Sequence, residues 1–429
     1  MAMKMSWALL LGMFLLMLGN GMQGTVLGVR GTLESFDATT MGFVMAGYFV
    51  GFIGGSQTAP WLLRRVGHVR VFAALASLVS AAFILFPVVV EPAAWFVLRI
   101  IIGFCFSGLY VVAESWLNNS TTNDNRGRTL SAYMIVQMLG IIVAQGLLNV
   151  GDPGGYELFV IMSVAVSIAV TPMLLTVQPA PVFETTRRMS LKALFRASPL
   201  GCVGAFALGA VFSCLWGMSA VYGSARGLTT TEVSIFIGAI YTGGLVLQYP
   251  IGWASDRMDR RHLIAALTAM GAASALFGAV AGGAFPLLVF AAFLLGGVAN
   301  PLYSVVIAHT NDFLDNEDMA SASGGLIFLN GIGASGTPIL VGWLMDAFGT
   351  ETFLVFIASV MAAIAAYAAY RMTVRSAKPA DETGPWAPYG PVATRVTAGI
   401  AQDWVIEKAG GDDAADAPAG AEPAVVAAR

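Results

Sequence analysis

Gly252-Trp253-Ala254-Ser255-Asp256-Arg257-Met258-Asp259-Arg260-Arg261 sets two acids and three arginines in one short stretch between two apolar runs, roughly 232–253 and 262–283. Each run matches the ~20 residues a helix needs to cross a hydrocarbon core. Charges this dense are costly in lipid, so the stretch reads as a water-exposed turn joining two membrane helices. Outward from it the same alternation continues, predicting helices at roughly 6–29, 39–61, 70–90, 94–117, 130–150, 157–177, 198–222, 232–253, 262–283, 286–308, 321–346 and 351–372. Twelve spans use most of the 429 residues.

Composition agrees. Of all residues 57% are hydrophobic and 11% charged, with a mean hydropathy of +0.76, whereas soluble domains carry about 25% charged residues. A net charge of −3 and the lack of a basic run beside an aromatic platform exclude nucleic acid as a partner. Cys105, Cys202 and Cys214 all fall in apolar segments without ligand spacing, so they read as small apolar fillers and no metal is expected. Lys4 and the run from Trp7 to Leu18 resemble a signal peptide, but no small-residue cleavage site follows, which makes the run an uncleaved first helix.

Basic residues fix the predicted sidedness. Lys4, Arg64, Arg65, Arg70, Arg126, Arg128, Arg187, Arg188, Lys192, Arg196, Arg257, Arg260 and Arg261 share one side, against Arg30, Arg99 and Arg226 in the other half of the membrane. The positive-inside rule makes the first side, with both termini, cytoplasmic. The expected units are a six-helix bundle over 1–177, a cytoplasmic linker over 178–197, a second bundle over 198–373 and a disordered cytoplasmic tail over 374–429. Within the tail, the apolar residues Ile400, Trp404, Val405 and Ile406 leave open a short surface helix between Val392 and Lys408.

The two halves share landmarks at a spacing of roughly 190 residues. Gly21-Met22 and Arg30-Gly31 match Gly217-Met218 and Arg226-Gly227. Arg64-Arg65 matches Asp256-Arg257. Thr122-Asn123-Asp124 and Ser131-Ala132 match Thr310-Asn311-Asp312 and Ser321-Ala322. Together, and in order, they argue for a duplicated six-helix unit.

The opening stretch resembles the signature of the major facilitator superfamily: Gly252, then Asp256-Arg257, then Arg260-Arg261, with Asp259 where the signature has a second glycine. The first-half copy, Pro60 to Arg70, keeps Arg65, Gly67 and Arg70 but has Arg64 in place of the acid. Val111-Val112-Ala113-Glu114-Ser115, Asn125-Arg126-Gly127-Arg128 and Ala132-Tyr133-Met134 further resemble bacterial YcaD-type permeases. The resemblance implies an all-α membrane fold of two pseudo-symmetric six-helix bundles in the inner membrane of a bacterium. It also implies alternating access to a midplane cavity.

Two charges stand out within the predicted spans, Arg99 and Glu114, separated on helix four by ~22 Å of rise. Arg99, in Arg99-Ile-Ile-Ile-Gly103, resembles the helix-four arginine of proton-linked facilitators. It reads as an anion or proton-coupling site, or as a side chain snorkelling to the interface. For Glu114 the resemblance implies a gate acid paired with Arg64, Arg65, His68 or Arg70; a proton-carrying carboxylate is the alternative. Asp312, Asp315, Glu317 and Asp318 precede helix eleven without a cation, so they are expected to meet the basic turn of the other half. Asp256 is expected to approach Arg126 and Arg128. Such pairs would latch the cytoplasmic side in an outward-open state; as solvated loop charges they would contribute little.

Candidate cavity residues are Asn20, Gln23, Tyr110, Gln137, Trp216, Tyr241, Asn300, Tyr303 and Asn330, polar groups that orient a solute or join helices. Helix five lacks the glycine-proline motif of many drug antiporters, which weakens an efflux reading. Neither a P-loop nor an enzyme motif is present, so no cofactor and no catalysis are expected. The sequence thus points to a monomeric secondary transporter of a small solute, proton-coupled. An uncoupled facilitator, a multidrug-type efflux pump and a transporter-like sensor are the alternatives.

Overall fold

The computed structural model describes residues 2–120, 126–174, 189–281 and 283–374, with Trp386, Thr394, Gly399 and Ala401 of the tail. The first half forms α1 (Ala2–Leu33), α2 (Ala38–Val66), α3 (His68–Val88), α4 (Pro92–Ser120), α5 (Arg126–Leu147) and α6 (Glu157–Leu174). A short helix α7 (Leu191–Ala197) leads into the second half. That half contains α8 (Pro199–Ala225), α9 (Thr230–Ser255), α10 (Arg260–Ala281), α11 (Phe285–Asn311), α12 (Asn316–Phe348) and α13 (Thr352–Val374). Eleven of these are long and apolar enough to cross a membrane, and Glu157–Pro172 within α6 is a shorter apolar helix. The twelve expected spans are all present, several longer than expected because polar ends such as Arg64-Arg65 and Asn316 continue the helix beyond the apolar run.

Local chemistry sets the helix ends. Thr229 and Glu232 form a reciprocal capping box at the start of α9. Gly67 alone separates α2 from α3, and its φ of 87° is a conformation that a side chain resists. Along the outward faces Val88, Val246, Val280 and Phe290 are exposed, as lipid-facing positions require.

The halves pack alike. A Cβ on Gly103 would fall 1.9 Å from the carbonyl oxygen of Tyr48, and one on Gly296 would fall 2.1 Å from that of Ile240. The contacts α2–α4 and α9–α11 are therefore the same close, glycine-dependent crossing, repeated once per half. The repeat inferred from scattered sequence landmarks is thus a repeat of packing.

Both signature turns lie at one end of the molecule, here the signature end. At the opposite, far end the bundles are joined. The Asp346 carboxylate of α12 accepts the backbone N–H groups of Ala38 (3.1 Å) and Thr39 (2.7 Å), while Asp37 accepts that of Thr40 (2.7 Å). The first turn of α2 is thus capped partly from the other bundle. Nearby, Thr231 of α9 donates to Asn149 (2.7 Å), and Ser234 donates to the carbonyl of Gln145. Gly42 and Gly28 allow α2 and α1 to lie directly on Pro338 and Ala220 of the second bundle.

Candidate functional site

Between the bundles lies a cavity of about 910 Å³, part of it open to solvent. Both halves line it. The first contributes Asn20, Gln23, Thr25, Tyr48, Arg99, Tyr110 and Gln137, and the second contributes Leu215, Trp216, Ile237, Tyr241 and Asn300.

Arg99 is 3% exposed and enters this cavity, so it does not snorkel to an interface. Its Nη1 donates to Gln23 Oε1 at 3.0 Å, and its guanidinium carbon lies 4.9 Å from the centre of the Tyr48 ring. Gln23 donates in turn to Asn20, Asn20 to Tyr110 (3.2 Å), and Tyr110 to the Met17 sulfur (3.2 Å). Every bond in this chain points away from Arg99, which fixes the Gln23 carbonyl oxygen on the guanidinium. Tyr48 was not among the sequence candidates. Its signal is present in retrospect, as an aromatic flanked by Gly47 and Gly51 that let α2 close on α4 beside Arg99.

On the opposite wall α8 widens into a π-helical turn over Cys214–Met218. The extra residue in such a turn rotates the following side chains, and Trp216 lies in it facing the cavity. Its ring stacks on Phe212 at 4.9 Å and lies nearly parallel to Tyr241 at 6.4 Å. Nothing in the apolar run of α8 announces this turn.

Two expected lining residues lie elsewhere. Tyr303 is fully buried, edge-on to Phe212, and the Asn330 amide donates to the carbonyl of Ala205 at 3.2 Å, joining α12 to α8. Tyr303 shares α11 with the lining residue Asn300, but packing within their own bundle claims both Tyr303 and Asn330.

At the signature end Arg260 and Arg261 of the second-half turn pair with acids of their own bundle. The buried Arg260 pairs with the buried Asp312, donates to Ser255 (3.2 Å) and lies 3.8 Å from Asp256. Arg261 pairs with Asp259 at 2.7 Å, so the acid in place of the signature glycine has a partner two residues away. Arg257 lies over Trp253 at 4.4 Å, and at the matching place in the first half Arg65 lies over Trp61 at 5.3 Å. The turns therefore differ chiefly at the acid, Asp256 against Arg64.

Arg64, Arg65 and Arg70 are exposed and make no ion pair among the described residues. Glu114, 1% exposed, accepts hydrogen bonds from the hydroxyls of Tyr133 (3.3 Å) and Thr394, in place of the expected basic turn. Asp256 accepts the backbone N–H of Trp386 at 2.6 Å, in place of the start of α5, and the Trp386 ring covers Gly252. Two tail residues thus occupy an acid on each bundle. At these positions the tail is packed, Thr394 and Ala401 being buried, where disorder was expected. Of the proposed latch, Asp312 pairs with Arg260, Arg128, Asp315 and Asp318 are exposed, and the side chains of Arg126 and Glu317 lie outside the described residues.

Comparison with known proteins agrees with this geometry. The sequence profile described as Major Facilitator Superfamily matches residues 9–247 and 201–406. The uncharacterized MFS-type transporter YcaD of Escherichia fergusonii is 25% identical over 355 residues, covering 82% of this chain and 92% of that one. YcaD of Salmonella heidelberg is likewise 25% identical over 356 residues, with the same coverage. Among solved structures, a mutant of the nucleoside transporter NupG superposes with a TM-score of 0.73 at 16% identity, covering 85% of this chain and 98% of that one. The transporter FucP in its outward conformation gives 0.55 at 15% identity, covering 86% and 99%. A profile matched across both halves, with a fold of two like bundles about a shared cavity, makes the chain a member of the Major Facilitator Superfamily, a multi-pass membrane transporter and not an enzyme.

Proposed function

We propose that the chain is a secondary active transporter of a small solute, alternating access to the Arg99 cavity by rocking its bundles. The observation that carries this reading is a cavity lined by both bundles and pinned shut at the far end by contacts that cross between them. In this reading the described conformation faces the signature end, which is cytoplasmic. The latch of Arg64, Arg65 and Arg70 with Asp315 and Asp318 belongs to the opposite conformation and forms when the far end opens. The coupling ion is the proton, and Glu114 is the carboxylate that carries it, because the cavity lining among the described residues contains no acid. The protein works as a monomer in the bacterial inner membrane.

The test uses spin-label pairs in nanodiscs, in a chain whose three buried cysteines are replaced by alanine. One pair spans the far end between loops at Ser35 and Thr350, the other spans the signature end between Val66 and Met258. Two distance populations at each end, long at one when short at the other, are expected. A single fixed distance at both ends overturns the transporter reading. It would favour the sensor, for which the docked tail residues Trp386 and Thr394 would be the output.

A further inference from the structure

The cavity lining is divided by charge as well as by bundle. Among the described residues Arg99 is its sole charged side chain, and every hydrogen bond or ring contact that holds Arg99 comes from a neutral group. One of its five donors is taken by Gln23, and Nε, although buried, has no partner. A guanidinium held away from water without a counter-ion is an unfavourable arrangement that a ligand can relieve. Facing it across the cavity are Leu215, Ile237 and the parallel rings of Trp216 and Tyr241. The Trp216 Nε1 donor is also buried and unpartnered.

We infer that the solute is a monoanionic organic acid, its carboxylate on Arg99 and a planar or branched apolar body against Trp216 and Tyr241. This rests on the transporter reading above and specifies its substrate. The planar fork of a guanidinium matches a carboxylate through two parallel hydrogen bonds, and the flat aromatic wall suits an apolar body. One cation and no acid in the lining select against the alternatives. A neutral sugar or nucleoside leaves Arg99 without a counter-ion, a zwitterion brings an ammonium that no carboxylate meets, and a dianion brings a second charge that no cation meets. Occupied by a monoanion, the closed cavity has no net charge, so occlusion moves no uncompensated charge out of water. Empty, it retains the charge of Arg99, which disfavours the return of the unloaded carrier. Anion exchange is therefore expected to run faster than net flux.

The experiment is thermal unfolding of the purified full chain with benzoate, phenylacetate and isovalerate, alongside phenylacetamide, phenylalanine, phenylsuccinate and uridine. At least one of the three monocarboxylates is expected to raise Tm saturably, as a ligand of the folded state does, with the other four at least about tenfold weaker. Arg99→Gln is expected to lose the response and Arg99→Lys to keep part of it. The comparison of phenylacetate with phenylacetamide uses the unaltered chain, so it stands even where a variant fails to fold. Stabilisation by phenylacetamide or uridine equal to that by the acids overturns the inference. So does no response to any monocarboxylate, or an undiminished response in a folded Arg99→Gln. The spin-label distances require no ligand, so two-state exchange without acid binding rejects the substrate class alone, whereas fixed distances reject the transporter.

Discussion

Each end of the molecule has a carboxylate beside a helix terminus, and the two are used differently. At the far end Asp346 of the second bundle caps α2 of the first, so its charge acts between the bundles. At the signature end Asp312 pairs with Arg260 in its own bundle, and Asp259 pairs with Arg261 two residues away. Both ends are rich in polar groups, yet among the described residues only the far-end set joins the halves directly. The lesson is that an acid near a bundle interface is no evidence of a latch until its nearest cation is known. In the second half that cation is local. In the first half Arg64 has replaced the acid, so the basic turn there makes no ion pair among the described residues.

The contrast can be broken at three places, in decreasing order of effect. Asp312→Ala removes the buried carboxylate that Arg260 pairs with and leaves Asp256 at 3.8 Å, and losing one member of a buried pair costs about 3–5 kcal/mol. A large drop in Tm is expected, whereas Arg65→Ala in the matching turn of the first half should change stability by no more than about 0.5 kcal/mol. Equal effects would erase the distinction between the turns.

Asp346→Asn removes a charged acceptor from the first turn of α2. Because the site is exposed, the expected cost is about 1 kcal/mol, felt by the joined far end more than by the fold. The far-end spin-label pair should shift several-fold toward its long distance, with Tm little changed. An unshifted distribution would mean that apolar packing at Gly42 and Gly28, and not the carboxylate, holds that end closed.

The smallest effect is one of pH. Burial acts to raise the Asp259 carboxyl, but the Arg261 side chain and backbone donors outweigh it and hold it below its ordinary value of 3.8. A carboxyl lowered on folding contributes stability above its unfolded value and loses it as pH falls through the folded one. A modest fall in Tm is therefore expected only below about pH 4, and Asp259→Asn should flatten that part of the profile. An identical acid profile in the variant would assign the loss to other carboxylates.

Much of the fold was legible because the bilayer imposes a length on every span, so apolar runs translate directly into helices. The one weak span, Glu157–Leu174, is also the shortest of the twelve among the described residues. Eight of the ten cavity candidates line the cavity, because polar side chains within apolar helices must face either a partner or water. Asn330 meets the same condition within its own bundle, Tyr303 packs there by its ring with the hydroxyl buried and unbonded, and no sequence pattern separates these outcomes. Tyr48 escaped notice because an aromatic in an apolar run looks like core. Asp346 escaped notice because a lone acid near a helix end looks like a solvated terminus.

By itself, the sequence determined the number of spans, the duplication and the placement of Arg99 within the membrane. These follow from hydrophobic length, from internal spacing and from the cost of burying charge, all of which are local properties of the chain. Only the tertiary structure decided which polar group each charge would meet. Arg99 meets Gln23 and Tyr48 without an acid, Glu114 meets Tyr133 and the tail residue Thr394, and Asp346 reaches the other bundle. Those pairings depend on contacts between residues tens to hundreds of positions apart, set by how helices cross, and crossing geometry is not written in any single helix.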